Sequence, residues 1–209
     1  LVEKTDVYPL TESDIHLIAT ASSLHDIGKV GISKDVLNKP TKLTDEEFEI
    51  MKTHTLIGAK MIENMEYPSD KPLVKTAYEI CRWHHERFDG KGYPDGLKGN
   101  EIPISAQVVS IADAFDALTS TRVYKNAYDY RTAIQMIMDG KCGCFNPLLL
   151  ECLKEMGAKI YVAFTTQKSD YDDYHEAQKL SDEILKSETL PYSDHSQRII
   201  DFLKEKMDF

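Results

Sequence analysis

No stretch of the sequence approaches the roughly 18 consecutive apolar residues that a membrane span needs. A spanning helix is therefore not expected. Cysteine is scarce as well, with Cys81, Cys142, Cys144 and Cys152 the full set. At 42% hydrophobic residues the chain can build an ordinary core, so a disulfide framework is not expected and the thiols read as reduced and cytoplasmic. The pair in "KCGCFNP" has no second pair at zinc-ribbon spacing, which weakens a soft-metal site there. Positive charge is also short: 25 Lys and Arg face 35 Asp and Glu, for a net charge of −10. That balance argues against a long nucleic acid as partner, because non-specific binders carry basic stripes. An anionic substrate would have to be met by a few placed cations or by metal ions. The opening Leu-Val-Glu-Lys offers neither an initiator Met nor a signal-peptide pattern, so the chain reads as a fragment.

Alternating strand patterns are missing too, and helical periodicity takes their place. "TESDIHLIATASSLHD" opens on a capping pattern, Thr11 with Asp14, and carries Ile15, Ile18, Ala19 and Ser22 at helical spacing. "LTDEEFEIMKTHTLIGAKMIENM" begins with the capping box Thr44–Glu47 and lines up Phe48, Met51, Thr55, Gly58, Ile62 and Met65 on one face. "KPLVKTAYEICRWHHE" puts Leu73, Ala77, Ile80, Cys81 and His84 on a stripe. Two further helices follow in "ISAQVVSIADAFDALTS" and "DYRTAIQMIMDG", and a last one in "NPLLLECLKEMG", capped by Asn146 with Pro147 in its first turn. The expectation is an all-α domain over residues 1–160, then a polar helical extension over residues 161–209. The extension's final pattern (Ile199, Ile200, Phe202, Leu203, Met207) has no stop signal and reads as a connector to a further module.

Four polar sites interrupt the core-facing stripes. They are "HDIGK" with His25, Asp26 and Lys29, "KTHT" with His54, "WHHE" with His84 and His85, and "IADAFDA" with Asp113 and Asp116. A single His at such a place is usually a hydrogen-bonded core residue. Six N and O donors at core edges would each need a buried partner, and a shared metal cluster satisfies them together. Four imidazoles and two carboxylates without a thiolate suit Fe, Mn, Zn, Co or Ni better than Mg or Ca. So many donors exceed one tetrahedral ion, and Asp26 can bridge a pair about 3.5–4 Å apart. Metal-assisted phosphoester hydrolysis is the reaction class that follows.

Taken together, "HDIGK", "HTLIGA", "HHERFDGKGYPDGLKG" and "IADAFDALTSTRVYK" resemble the HD-GYP family, the cyclic di-GMP phosphodiesterase branch of the HD phosphohydrolases. The resemblance covers residues 10–155. It implies an HD-domain helical bundle around two or three divalent ions, Fe or Mn foremost. The implied ligands are His25, Asp26, His54, His84, His85 and Asp113. Lys29 would sit beside the substrate phosphate and assist the attacking hydroxide, with Asp26 beside it in catalysis. Tyr93 would line the substrate site, and Arg122 and Lys125 would grip cyclic di-GMP, with pGpG as the product and GMP as a further product left open. Glu86, Asp89 and Asp116 would orient the metal ligands from behind. A fused sensory or diguanylate-cyclase domain and a homodimer are implied partners. The family usually adds a Glu and a His on a helix upstream of the HD block. This chain starts after that helix and His16 is out of place to replace it, so the ion at His25, Asp26 and Asp113 is expected to be weakly held beside an apolar groove at Ile18 and Ser22. Two alternatives remain open: another HD phosphohydrolase acting on a different nucleotide, and a catalytically weak dinucleotide sensor.

Overall fold

The computed structural model describes residues 7–65, 71–121 and 127–166, and every regular element among them is helical. None of those helices is long and apolar enough to cross a membrane. The chain divides into two compact units, Leu1–Gly157 and Ala158–Phe209, and the site described below lies within the first. Residues 195–209, read above as a connector, lie outside the described residues.

The capping signals act where the sequence places them. Helix α1 (Glu12–Ser22) starts at a reciprocal box in which Thr11 accepts from the Asp14 amide and Asp14 accepts from the Thr11 amide. Helix α2 (Lys34–Leu37) is a single turn, and α3 (Asp45–Lys52) begins at the matching Thr44–Glu47 box. The single helix expected from residue 44 onward is broken at Thr53, and α4 (His54–Glu63) starts there. The break has a local cause: the Thr53 hydroxyl donates to the Ile50 carbonyl and His54 Nδ1 lies 2.7 Å from the Met51 carbonyl, so side chains take groups the helix would use.

Helix α5 (Pro72–Trp83) buries Ala77, Ile80 and Cys81, and His84 caps it. Helix α6 (Ile104–Thr119) is the partition of the unit. On one side its Val109 joins Ala21, Ile62, Ala77, Ile80 and Cys81. On the other its Ile111, Ala114 and Leu118 pack with Ala133 and Ile137 of α7 (Tyr130–Met138), with Phe145 just before α8 (Pro147–Thr166) and with Leu149 in its first turn. Asn146 accepts from the Leu148 amide, as a helix cap should.

Two expectations for α1 are corrected. The helix stops at Ser22, so His25 and Asp26 stand in the turn after it. Its core face is Ile18 and Ala21, continued by Leu24, while Ile15 and Ala19 stay exposed. Early termination matters for the site. It frees the histidine from helical register.

The HD turn is drawn into the unit by two glycines. Residues Ile27–Gly31 form a 3-10 turn against α4. A Cβ on Gly28 would lie 1.9 Å from the His54 carbonyl oxygen and 2.4 Å from the Gly58 amide nitrogen. Only glycine allows that approach, and it brings "HDIGK" against "HTLIG".

Candidate metal centre

Three of the histidines share one construction. Each stands just past the end of a helix, with Nδ1 on a carbonyl of that helix's last turn: His25 on Ser22 at 2.7 Å, His54 on Met51 at 2.7 Å and His84 on Ile80 at 2.8 Å. Last-turn carbonyls lack a full set of intrahelical donors, so a ring N–H is a natural partner. A carbonyl can only accept. Nδ1 therefore carries the hydrogen, and in the neutral ring Nε2 keeps a lone pair aimed away from the helix. The helix C-terminal ends behind these rings also favour a nearby cation.

Those lone pairs converge. His54 Nε2 and His84 Nε2 are 3.5 Å apart, and Asp26 Oδ1 lies 3.3 Å from the first and 3.9 Å from the second. Asp26, His54, His84 and His85 each offer one ligand atom, all within 4.8 Å of one another. On the other side of the carboxylate, His25 Nε2 is 3.2 Å from Asp26 Oδ2 and 3.9 Å from Asp113 Oδ1, while His85 Nδ1 is 3.9 Å from Asp113 Oδ2. The Lys29 ammonium pairs with Asp26 Oδ2. Asp26 Oδ1, though buried, has no hydrogen-bond donor: the His54 contact is close but carries no hydrogen along it. Acceptors facing one another around an orphaned carboxylate oxygen are the donor set of a divalent cation, and this arrangement fits one.

Burial tunes the rings for that use. It pushes His84 down to about 3, helped by the neighbouring His25, and holds His85 well below the ordinary range, helped by His84. It lowers His54 too. For His25 burial also acts downward, but the Asp26 carboxylate outweighs it and the ring is raised. For Asp26 burial acts upward and is overcome by His25 and Lys29, leaving the carboxyl ionised. The neutral rings of His54, His84 and His85 and the ionised Asp26 carboxylate are in the forms that ligate metal.

An unfolded histidine takes its proton near pH 6.5, whereas His54, His84 and His85 resist it when folded. The unfolded state then binds more protons, so stability falls as pH drops below about 6.5, each ring contributing at most about 1.4 kcal/mol per unit until it too takes a proton in the folded state. His25 acts with the opposite sign and above that window, and Asp26 acts below it. Denaturant midpoints of metal-free protein should decline steadily from pH 6.5 to 5. A flat profile would show that the folded rings accept protons freely.

Several residues stand elsewhere than the sequence suggests. Glu86 Oε1 accepts from the amides of Asp95 and Gly96, at 2.7 and 3.0 Å, and so holds the loop after Tyr93. Asp89 accepts from the Lys91 amide and shapes the turn before Gly92. Asp116 accepts from the Ser120 hydroxyl at the end of α6. The orienting work falls instead to the carbonyls of Ser22, Met51 and Ile80, because a helix end supplies an acceptor at lower cost than a second buried charge. The Tyr93 ring lies tilted on His85 with centroids 4.8 Å apart. Arg122 and Lys125 lie outside the described residues. Cys81 is not a ligand: burial pushes its thiol up to about 12, and Sγ donates to the Leu24 carbonyl.

Two supports escaped the sequence reading. Asp95 takes both Nε and Nη2 of Arg82 and the Trp83 indole N–H, at 2.7 to 2.9 Å, pinning the loop to the helix that presents His84. Arg87 donates to the Ser110 hydroxyl at 2.7 Å and lies over the Phe145 ring, so it ties the segment after His85 to α6 and to the loop before α8. No sequence signal distinguishes either from an exposed charge.

The HD domain profile matches residues 5–143. This chain belongs to the HD-domain family. Among curated relatives, a cyclic di-GMP phosphodiesterase of Thermotoga maritima is 41% identical over 166 residues, 79% of this chain and 44% of that protein. The cyclic di-GMP phosphodiesterase response regulator RpfG of Xanthomonas campestris pv. campestris is 40% identical over 144 residues, 69% of this chain and 37% of that protein. A 3'3'-cGAMP-specific phosphodiesterase of Vibrio cholerae is 41% identical over 149 residues, 71% of this chain and 28% of that protein. The chain thus spans less than half the length of these relatives. The HD pair itself is His25–Asp26, and the carboxylate of that pair is the atom group on which the cluster closes.

Proposed function

We propose that this chain is a metal-dependent phosphodiesterase that opens cyclic di-GMP to linear pGpG and, by a second cut, to GMP. The observation that carries the reading is the Asp26 carboxylate, with Oδ1 orphaned between His54 and His84 and Oδ2 turned to His25 and Lys29. One carboxylate facing two donor sets is what a two-ion site requires. The names of the relatives support the substrate class.

In this reading Asp26, His54, His84 and His85 would hold one ion, and His25, Asp26 and Asp113 the other. The chemistry of the donors favours Fe or Mn. Bound there, such ions supply Lewis acidity toward a phosphoryl oxygen and an activated water. The chain's own residues do the rest. Lys29 pairs with Asp26 and, being partly exposed, offers its remaining N–H donors to the substrate phosphate. Tyr93 walls the substrate side of His85 and excludes water from that flank. Arg122 and Lys125 bring the local positive charge that a chain of net charge −10 otherwise lacks for a dianionic ligand.

The test is anaerobic purification, metal quantification and product chromatography on cyclic di-GMP, 3'3'-cGAMP and a panel of mononucleotides. The expected result is Fe or Mn above one equivalent and linear dinucleotide from cyclic di-GMP. Hydrolysis of mononucleotides alone would overturn the substrate class. Tight dinucleotide binding without turnover in metal-loaded protein would favour a sensor.

A further inference from the structure

The wall beside Tyr93 carries more chemistry than metal binding uses. Phe48 of α3 meets Tyr93 edge to face, with centroids 6.2 Å apart and planes at 85°. Tyr93 in turn lies on His85 at 4.8 Å, so His85, Tyr93 and Phe48 form a continuous aromatic line leading out from the cluster. Lys52, one helical turn after Phe48, brings Nζ to 5.6 Å from the Phe48 centroid and 5.8 Å from that of Tyr93. Phe48 leaves 46% of its surface exposed. A ring held this close to a buried cluster but left open to solvent is available for stacking. The charged partner of Lys52 is Glu49, itself 69% exposed, and a solvent-screened pair of that kind yields readily to a ligand.

We propose that Phe48 and Lys52 form a purine subsite that selects guanine over adenine. The base stacks on Phe48, and Lys52 Nζ donates to the base edge. The inference rests on the phosphodiesterase reading and deepens it by naming a specificity residue. Its logic is donor against acceptor. An ammonium can only donate. Guanine presents two acceptors on that edge, O6 and N7, whereas adenine replaces O6 with the N6 amino donor. Lys52 therefore has two partners in guanine, and in adenine one partner beside a donor that repels it.

The experiment uses metal-loaded protein, with calorimetric Kd for GMP and AMP, and kcat/KM for cyclic di-GMP, 3'3'-cGAMP and the base-free diester bis(p-nitrophenyl) phosphate. Wild type should prefer GMP, and Lys52→Met, which keeps the stem and removes the charge, should weaken GMP about tenfold while leaving AMP nearly unchanged. Phe48→Ala should weaken both nucleotides alike, by about tenfold. Base-free turnover should match wild type in both variants. Equal binding of GMP and AMP by wild type would overturn the proposal, as would a GMP preference that survives Lys52→Met. A parallel fall in base-free turnover would assign Lys52 to the phosphate and overturn it too. A wild type that cleaves the base-free diester but neither cyclic dinucleotide would instead sink the proposed function, and the GMP and AMP constants would still judge Lys52 separately.

Discussion

Asp26→Ala is expected to empty the cluster of metal and abolish phosphodiester hydrolysis while leaving the helices in place. Asp26 lies within 4 Å of His25, His54, His84 and Lys29 together. Removing it deletes a donor from both proposed ion sites at once. Changes to groups that merely orient a ligand cost about 10–100-fold in metal affinity, so loss of a bridging ligand should cost more than that. The fold should survive, because Lys29 is partly exposed and its ammonium can turn to water when its partner goes. Elemental analysis and far-ultraviolet circular dichroism on the same preparation check both halves. Near-wild-type hydrolysis in the variant would dismantle the metal-centre reading, and loss of the helical signal would show that Asp26 holds the fold.

Gly28→Ala should act in the opposite order, breaking the fold first and the site with it. The added methyl would stand 1.9 Å from the His54 carbonyl oxygen and 2.4 Å from the Gly58 nitrogen. Both are backbone atoms, so no rotamer change relieves the clash and the 3-10 turn must move off α4. Overpacking of a core commonly costs about 1–3 kcal/mol, and a backbone collision of this depth belongs at or beyond the top of that range. The turn carries Asp26 and α4 carries His54, so their separation should also lower metal retention. Gly58→Ala is the graded comparison. Its Cβ would meet the Gly28 nitrogen at 3.2 Å, a contact that a small shift relieves, so its penalty should be clearly smaller. Thermal melts of the two variants, with and without metal, give the order. Equal melting temperatures would show that the two elements are not in such close approach.

Much of this was legible in the residues. Composition and periodicity indicated helices, and the Thr11–Asp14 and Thr44–Glu47 boxes marked two of their starts, because capping is a local exchange of hydrogen bonds that depends on spacing alone. The nature of the site was legible for a similar reason: histidines and acids on otherwise apolar stripes have no inexpensive buried alternative to a shared cation. What the residues did not disclose is which oxygen or nitrogen each of them faces. Glu86 and Asp89 neighbour the histidines in sequence, yet the chain folds back so that their carboxylates meet backbone amides of the following loop. The orienting partners of His25, His54 and His84 are main-chain carbonyls, which every residue owns and no sequence pattern marks. The same holds for Arg82 on Asp95 and Arg87 on Ser110, pairs set by how loops cross rather than by spacing. Donor type is a property of the amino acid, and the sequence alone determined it here. Convergence of those donors on one point depends on helix ends, a break at Thr53 and a glycine-to-glycine approach, and only tertiary packing decided that.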